Sequence, residues 1–208
     1  KNFWKYKLKK KIIPKLPLRI YAKFVEKRVK NQRIKQLINL GINENKIKYV
    51  DHHNCHAAAA AYGWAEKGDF LVITSDSAGD FICGSINIFS NGKLNKIAEV
   101  DIGSSVARLY GYFTYYLGMV PNEHEYKVMG MAPYSHTAKE SHEIAEYFLS
   151  LFEFKDDFIL TRKKNIEATK FMGKRIESFL KRKRFDHVCS GIQIFIEKII
   201  SEWIKKII

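Results

Sequence analysis

The spacing of apolar residues divides the chain into a helical start, a strand-rich middle and a mostly helical last third. Apolar residues recur at roughly helical spacing over 22–40, and Gly41 follows as a C-cap. The run DFLVITSDS, 69–77, stays apolar until its polar end, which is typical of a buried strand that carries functional groups at its terminus. An Asn-Gly pair supplies the positive φ angles of a tight turn and predicts a hairpin within 81–102.

The remaining segments complete the order of elements. Asp51 is placed to cap a helix over about 52–65 by accepting backbone N–H bonds. KIKYV, 46–50, is predicted to be a short strand, and 118–135 is predicted to be irregular. Further helices are predicted over about 105–117, 137–152, 166–182 and 187–206, with a short strand near DFIL. This order predicts an α/β fold with a mixed sheet and flanking helices.

Composition indicates a globular protein of the cytoplasm. The chain has 208 residues and 46% hydrophobic residues, enough for one substantial domain, or a domain and an appendage. Three cysteines without CxxC spacing suit a reducing compartment and argue against a disulfide framework or zinc ribbon. The longest apolar run, 57–65, is too short to span a bilayer, so no membrane partner is expected.

Positive charge is concentrated at the start of the chain. The formal net charge is +14, and residues 1–36 hold fourteen Lys or Arg against one acid, Glu26. A basic arm that carries Phe3, Trp4 and Tyr6 suits contact with nucleic acid or an anionic membrane surface. No nucleic-acid-binding motif accompanies it, so a solvated, Lys-rich helix is the favoured interpretation.

The stretch YVDHHNCH carries the most chemical information. His52 and His56 are four apart on the predicted helix, where Cβ atoms on one face are about 5–6 Å apart, so both imidazoles can reach one divalent ion. A zinc-protease motif is excluded, because it requires Glu where this chain has His53. Asp76, at the end of the strand LVITSD, is the predicted oxygen ligand, since open α/β sheets collect ligands there. The alternative is a capped helix with solvated histidines.

Two further stretches have features of a phosphate-binding site. The small residues of SAGD, 77–80, leave room for phosphate oxygens to approach backbone N–H groups. Glu125 and Lys127 belong to NEHEYKVMGMAPYS, 122–135, which is punctuated by glycine and proline, and a lysine there can neutralise phosphate charge. The alternative for Glu125 and Lys127 is a surface salt bridge of little consequence.

Four stretches, in the order HHNCHAAAAAY, VITSDSAGD, SSVARLYGYFTYYLG and NEHEYKVMGMAPY, resemble the carbamoyltransferase family of nodulation-factor and antibiotic-modifying enzymes. The resemblance covers roughly 45–135, and CSGIQIFIEKII, 189–200, is similar to a family helix through Gln193 and Glu197. The family is related to the tRNA threonylcarbamoyl-transfer protein. The resemblance therefore implies part of an actin/Hsp70/sugar-kinase-like, RNase H-like ATPase domain.

The resemblance also implies a reaction and its residues. Carbamoyl phosphate and ATP would form a carbamoyl-adenylate, from which the carbamoyl group passes to a hydroxyl of a small-molecule or sugar acceptor. His52, His56 and Asp76 would hold a divalent metal, Fe²⁺ first, with Mn²⁺ or Zn²⁺ also suited to these ligands. Glu125 and Lys127 would be catalytic. The implied cofactor-binding residues are Asp76, Gly79, Asp80 and Lys127.

The chain departs from the family pattern in sequence and extent. Ser77 follows Asp76 where the family usually has glycine, and serine tolerates positive φ poorly; Ser135 likewise replaces a usual glycine. The family's opening His-Asp-Ser-Ser pattern and its C-terminal adenylate-forming domain are not found in 1–208. We therefore expect an internal fragment of the N-terminal domain, inactive without the remainder of its polypeptide, with 1–44 a basic helical lead-in and 136–208 mostly helical.

Two other functions remain open. A tRNA threonylcarbamoyl-transfer-like protein would use the sister chemistry, although EYKVMGMAPY favours the small-molecule branch. A non-enzymatic, basic module that binds polyanions would use residues 1–36 and keep the histidines as structure alone.

Overall fold

The structure, a computed structural model, describes residues 18–64 and 68–208, with side chains from residue 27 onward. Of the predicted basic arm, 1–36, residues 1–17, with Phe3, Trp4 and Tyr6, lie outside the described residues. The chain divides into two compact units, Lys1–Val50 and Asp51–Ile208.

The first unit is a helix followed by a short turn. Helix α1 spans Leu18–Asn39, and its described side chains are exposed or half-buried. Gly41 ends the helix with a φ of +83°, as predicted from its position after the apolar pattern. The strand predicted at 46–50 is wrong, because a 3₁₀ turn occupies Glu44–Lys46 and Ile47 N–H bonds back to the Glu44 carbonyl. These apolar residues have no neighbouring strand to pair with among the described residues of the unit.

The second unit begins with helix α2, His52–Gly63, and a three-stranded sheet. The Asp51 carboxylate caps the helix by accepting the Asn54 N–H at 2.9 Å, as predicted. The sheet has the order β1-β2-β3. Its strands are β1 Phe70–Gly79, β2 Ile82–Ser90 and β3 Lys93–Asp101, and the β2–β3 turn is formed by Asn91 and Gly92, both with positive φ.

The α/β class is confirmed, but the mixed sheet is wrong for the described strands. Both neighbouring pairs of the three-stranded sheet are antiparallel, and so is a second sheet of β4 Phe152–Lys155 and β5 Ile159–Arg162. Each pair of strands is joined by a short turn. A short turn allows only antiparallel pairing, because a parallel pair needs a long crossover.

Five helices complete the second unit in the described residues: α3 Val106–Tyr116, α4 Glu125–Met131, α5 Lys139–Leu149, α6 Gly173–Leu180 and α7 Phe185–Ile207. The irregular stretch predicted at 118–135 is partly wrong, since it contains α4 and a 3₁₀ turn, Ala132–Ser135. The helix predicted at 166–182 is shorter, because a 3₁₀ turn at Thr169–Phe171 precedes α6. Glycine and proline within these short elements hide their helical pattern.

Two apolar clusters hold this unit together. The larger one packs the helices against the sheet around four fully buried aromatic residues, Phe113, Phe148, Phe195 and Trp203. The smaller one consists of Ala57 and Ala61 on α2 and Val72 on β1. Small side chains at these two positions bring the helix close to the sheet, which explains alanine at 57 and 61. The helix therefore holds its first turn beside the end of β1.

No helix among the described residues combines the length and the apolar character needed to cross a membrane.

Candidate metal centre

The first two turns of α2 place two imidazoles beside the end of β1. His52 Nε2 lies 2.8 Å from Asp76 Oδ2 and 3.0 Å from His56 Nε2. His56 Nε2 lies 3.6 Å from the same Asp76 oxygen. Among the described residues, these three form the group of His, Cys, Asp or Glu whose ligand atoms all lie within 4.8 Å of one another. The three side chains predicted from the HxxxH spacing and the strand thus lie together in the folded chain.

The separations suit a single cation. Ligands about 2.0–2.1 Å from one ion lie about 2.8–3.4 Å from each other in octahedral or tetrahedral geometry. The two separations from His52 Nε2 lie in this range, and the 3.6 Å between His56 Nε2 and Asp76 Oδ2 is slightly longer. Lone pairs on three atoms this close cannot all face one another, so either an imidazole N–H proton or a metal ion lies between them. Two imidazoles and one carboxylate fit iron, manganese or zinc and leave further coordination positions for a substrate or water.

The Asp76 carboxylate is held as an anion by its neighbours. Its other oxygen, Oδ1, accepts the Ser77 N–H at 2.5 Å. Burial raises the pKa of Asp76, but hydrogen bonds from His52 and Ser77 and the nearby imidazoles outweigh burial and leave the pKa below its ordinary value. The carboxylate is therefore available as an anionic ligand at neutral pH.

The β1–β2 turn contacts the first residue of α2. Asp80 Oδ2 accepts the His52 backbone N–H at 2.6 Å. Asp80 and Phe81 have φ angles of +46° and +71°, whereas Ser77 is not among the described residues with positive φ. The strain predicted at Ser77 is therefore located at the tip of the turn instead. Gly79 lies directly against the His52 ring.

A buried polar chain under α2 was missed by the sequence reasoning. His53 is fully buried, and its Nδ1 lies 2.7 Å from Thr74 Oγ1 on β1. Thr74 Oγ1 lies 2.8 Å from Ser85 Oγ, which accepts a bond from Asn87 Nδ2 at 2.9 Å. The available signal was polar residues inside two apolar strands, Thr74 in β1 and the alternating Ser85 and Asn87 in β2.

Burial, and then the neighbouring His52, lower the pKa of His53, although the Ile82 carbonyl opposes the shift. His53 is therefore neutral at neutral pH. It anchors α2 to the sheet and is not one of the three clustered ligands.

Glu125 and Lys127 lie on α4, and the contacts described for their side chains do not involve His52 or His56. Glu125 Oε1 accepts the Asn122 N–H at 2.7 Å and so shapes the loop before the helix. Lys127 is exposed, and its ammonium lies 5.8 Å from the centre of the Tyr126 ring. No hydrogen bond or ion pair of the described residues joins either side chain to His52, His56 or Asp76.

The helix motif through Gln193 and Glu197 is joined to α3. Tyr110 OH donates to Gln193 Oε1 at 3.0 Å, and Gln193 Nε2 donates to Glu197 Oε1 at 2.7 Å. Burial, followed by the nearby Cys189, Glu125 and Glu197, raises the pKa of Tyr110, which stays protonated. The motif therefore links α3 with α7. The spacing of four residues made the bond between Gln193 and Glu197 predictable.

Two serines have separate structural roles. Ser105 Oγ donates to the Asp76 carbonyl at 3.4 Å and caps α3 by accepting the Arg108 N–H at 3.1 Å. The first turn of α3 therefore begins beside the candidate metal centre. Ser135 donates its hydroxyl to the Asp186 carboxylate and joins the 3₁₀ turn to α7.

Comparison with known proteins gives consistent matches. A family model described as Carbamoyltransferase N-terminus matches residues 8–207. The nodulation protein NolNO of Sinorhizobium fredii is 31% identical over 112 residues, which cover 54% of this chain and 16% of that protein. An uncharacterized protein of Synechocystis sp. is 28% identical over 182 residues, 80% of this chain and 29% of the relative. An uncharacterized protein of Methanocaldococcus jannaschii is 30% identical over 150 residues, 72% of this chain and 28% of the relative. The chain thus spans less than a third of the length of these relatives.

Proposed function

The chain belongs to the carbamoyltransferase family through its match to the N-terminal domain, and from this premise we propose that its polypeptide transfers a carbamoyl group, with metal assistance, to a hydroxyl of a small-molecule or sugar acceptor. The observation that carries the proposal is the convergence of His52, His56 and Asp76 within 4.8 Å. Family membership supports carbamoyl transfer in general, and the cluster supports the proposal that these three residues hold the assisting metal.

His52, His56 and Asp76 are the residues that would hold the ion, Fe²⁺ first, with Mn²⁺ or Zn²⁺ as the other suited metals. A bound ion supplies positive charge that polarises a carbamoyl oxygen or neutralises a phosphate leaving group. The protein's own residues orient the Asp76 carboxylate. Ser77 N–H occupies one oxygen of Asp76 and leaves the other facing the imidazoles.

The proposed donor is carbamoyl phosphate, activated by ATP as a carbamoyl-adenylate. Support for a phosphate-bearing donor comes from the start of α3, which lies beside Asp76 through the Ser105 contact. The N–H groups of a first helical turn favour anions. Arg108 belongs to this turn, and its guanidinium has no hydrogen-bond or ion-pair partner among the described residues. A cation in this position suits a phosphate oxygen.

Lys127 and Glu125 remain the proposed catalytic residues on α4. The exposed Lys127 ammonium forms no ion pair with the described acids, so it is available to neutralise phosphate charge. Glu125, whose carboxylate holds the Asn122 N–H, would set the shape of the adjoining loop. The actin/Hsp70/sugar-kinase-like fold of the complete domain is likewise part of this proposal, and the antiparallel β1-β2-β3 sheet is its described portion.

The test combines metal binding with carbamoyl transfer in the complete polypeptide. We expect one divalent ion per chain, and transfer of labelled carbamoyl from carbamoyl phosphate, with ATP, to a sugar hydroxyl. Asp76→Asn should remove both, because a neutral amide is a poor ligand for these ions. Asp156→Asn alters an exposed carboxylate outside the cluster and should retain both. A wild-type protein that binds no metal, or an Asp76→Asn variant that transfers at the wild-type rate, would contradict the proposal.

A further inference from the structure

We propose that Gly79 and Asp80 are positioning residues that fix the metal ligand His52, and that they do not bind the nucleotide or phosphate themselves. This inference rests on the proposed metal site at His52, His56 and Asp76. It reassigns two residues that the small-residue pattern of SAGD had suggested for cofactor binding.

Gly79 is needed because the His52 ring occupies the space that a side chain would take. A Cβ atom placed on Gly79 would lie 2.1 Å from His52 Cδ2 and 2.4 Å from Cγ. Real Cβ contacts are never so short, so any side chain at this position displaces the ring. The φ of Gly79 is not in the left-handed region, and the requirement is therefore for space and not for backbone freedom.

Asp80 holds the backbone of the same histidine. Its Oδ2 accepts the His52 N–H at 2.6 Å, which is one of the N–H groups that a helix start leaves without an internal partner. Asp80 adopts a φ of +46°, a conformation that non-glycine residues seldom use and that aspartate tolerates better than most. The turn therefore adopts a strained conformation that aims its carboxylate at α2.

The two contacts act on one residue from two directions. Gly79 limits where the His52 ring can lie, and Asp80 limits where its backbone can lie. His52 is also the histidine closest to Asp76, with Nε2 and Oδ2 2.8 Å apart. A small displacement of His52 would therefore separate both ligand pairs. An Asp80 carboxylate that is already occupied by an N–H and carries negative charge is poorly suited to phosphate.

A plain helix cap is the competing explanation, and α2 contains a matched control. Asp51 caps the same helix through the Asn54 N–H and makes no described hydrogen bond to His52. Removing either carboxylate should destabilise the helix start, but only the loss of Asp80 should move the metal ligand.

The experiment is a titration of the complete polypeptide with Co²⁺, monitored by the ligand-field absorption spectrum. Thermal melting in the absence of metal measures the stability of each variant separately. Removing partners of metal ligands typically costs about 10–100-fold in metal affinity, and we expect this loss and an altered spectrum for Gly79→Ala and Asp80→Ala. Asp80→Asn keeps an oxygen acceptor for the His52 N–H and should restore most of the affinity. Asp51→Ala should melt earlier, yet bind Co²⁺ nearly as tightly as wild type.

Each outcome decides one question. If Gly79→Ala and Asp80→Ala bind Co²⁺ with wild-type affinity and spectrum, the positioning role is wrong while the metal site stands. If Asp51→Ala loses as much affinity as Asp80→Ala, capping alone explains the contact and the inference is overturned. If wild type binds no Co²⁺, the proposed metal site itself is wrong. Asp80→Asn keeps the test valid even where Asp80→Ala does not fold.

Discussion

His53 on α2 and Thr74 on β1 are joined by a buried bond, with Nδ1 and Oγ1 2.7 Å apart. His53 belongs to the first turn of the helix. From Thr74 a chain of hydrogen bonds continues through Ser85 to Asn87 on β2. The helix that carries the candidate metal ligands is therefore fastened to the sheet by a polar chain as well as by its alanines.

This buried chain can donate in two directions, which correspond to the two neutral tautomers of His53. Thr74 Oγ1 already accepts the Ser85 N–H at 2.9 Å. If the Ser85 hydroxyl donates to Thr74 and the Thr74 hydroxyl donates to His53 Nδ1, every hydroxyl proton has an acceptor. The opposite direction leaves the buried Ser85 hydroxyl proton without one. In the first direction the ring proton lies on Nε2 and faces no acceptor at hydrogen-bond distance, so each direction leaves one buried donor unpaired.

Thr74→Val should destabilise the protein by about 1–3 kcal/mol, because it leaves His53 Nδ1 and Ser85 buried without their partner. Urea unfolding at pH 7 would measure the change. Thr74→Ser keeps the hydroxyl and should recover most of this loss. Equal destabilisation by valine and serine would show that the methyl group, and not the polar chain, matters at this position.

His56→Ala should abolish stabilisation by metal without harming the metal-free fold, because its side chain is 54% exposed. A ligand at 100 times its Kd stabilises the folded state by about 2.7 kcal/mol, so added Zn²⁺ should raise the Tm of wild type by several degrees. The variant should show no such rise. His142→Ala, an exposed histidine outside the cluster, should respond like wild type. A metal-induced rise that survives in His56→Ala would contradict the assigned ligand set.

Glu140 should make stability depend on pH in the acid range. It accepts bonds from Lys183 Nζ at 2.8 Å and lies 2.7 Å from His187 Nδ1, and these bonds outweigh burial and lower the pKa of Glu140. A carboxyl whose pKa is lower in the folded state contributes stability above its unfolded pKa of about 4.3 and loses it as pH falls through the folded pKa. Glu140→Gln should therefore be less stable than wild type at pH 7, and the difference should shrink toward pH 3.

The side chain of Glu140 is 30% exposed, so solvent screening limits the expected effect at pH 7 to about 1 kcal/mol. Urea unfolding at several pH values gives the comparison. Glu143→Gln is the matched control on α5, since Glu143 pairs weakly with Lys139 at 3.7 Å with both side chains exposed. A difference for Glu140→Gln that stays constant from pH 7 to pH 3 would rule out the linkage.

Gly191→Ala should destabilise the contact between α5 and α7 by about 1–3 kcal/mol, as overpacking does. A Cβ at Gly191 would lie 2.6 Å from Ile144 Cβ and 2.8 Å from the Ser141 carbonyl oxygen. Gly130→Ala is the matched helical substitution, since nothing lies within 4 Å of its Cβ position. It should be neutral or stabilise by up to about 1 kcal/mol through helix propensity. Thermal unfolding of the two variants would measure the contrast, and equal effects would refute the packing argument.

The amino-acid sequence by itself determined the features that depend on neighbours a few residues apart. The four-residue spacing of His52 and His56 fixes both rings on one helical face, and Asp51 fixes where that helix begins. The Asn91-Gly92 pair fixes the hairpin turn, because few other residues accept its positive φ angles. The four motifs and their order identified the family, which the match over 8–207 confirms.

Tertiary structure alone decided the relationships between residues far apart in the chain. Ser105 approaches Asp76, Asp80 approaches His52, and His53 approaches Thr74 across separations of more than twenty residues. The spacing of residues along one helix or turn is set by covalent geometry and can be read from the sequence. The choice of which polar group meets which across the core depends on how helix and sheet pack, and that is set by the shapes of all the buried side chains together.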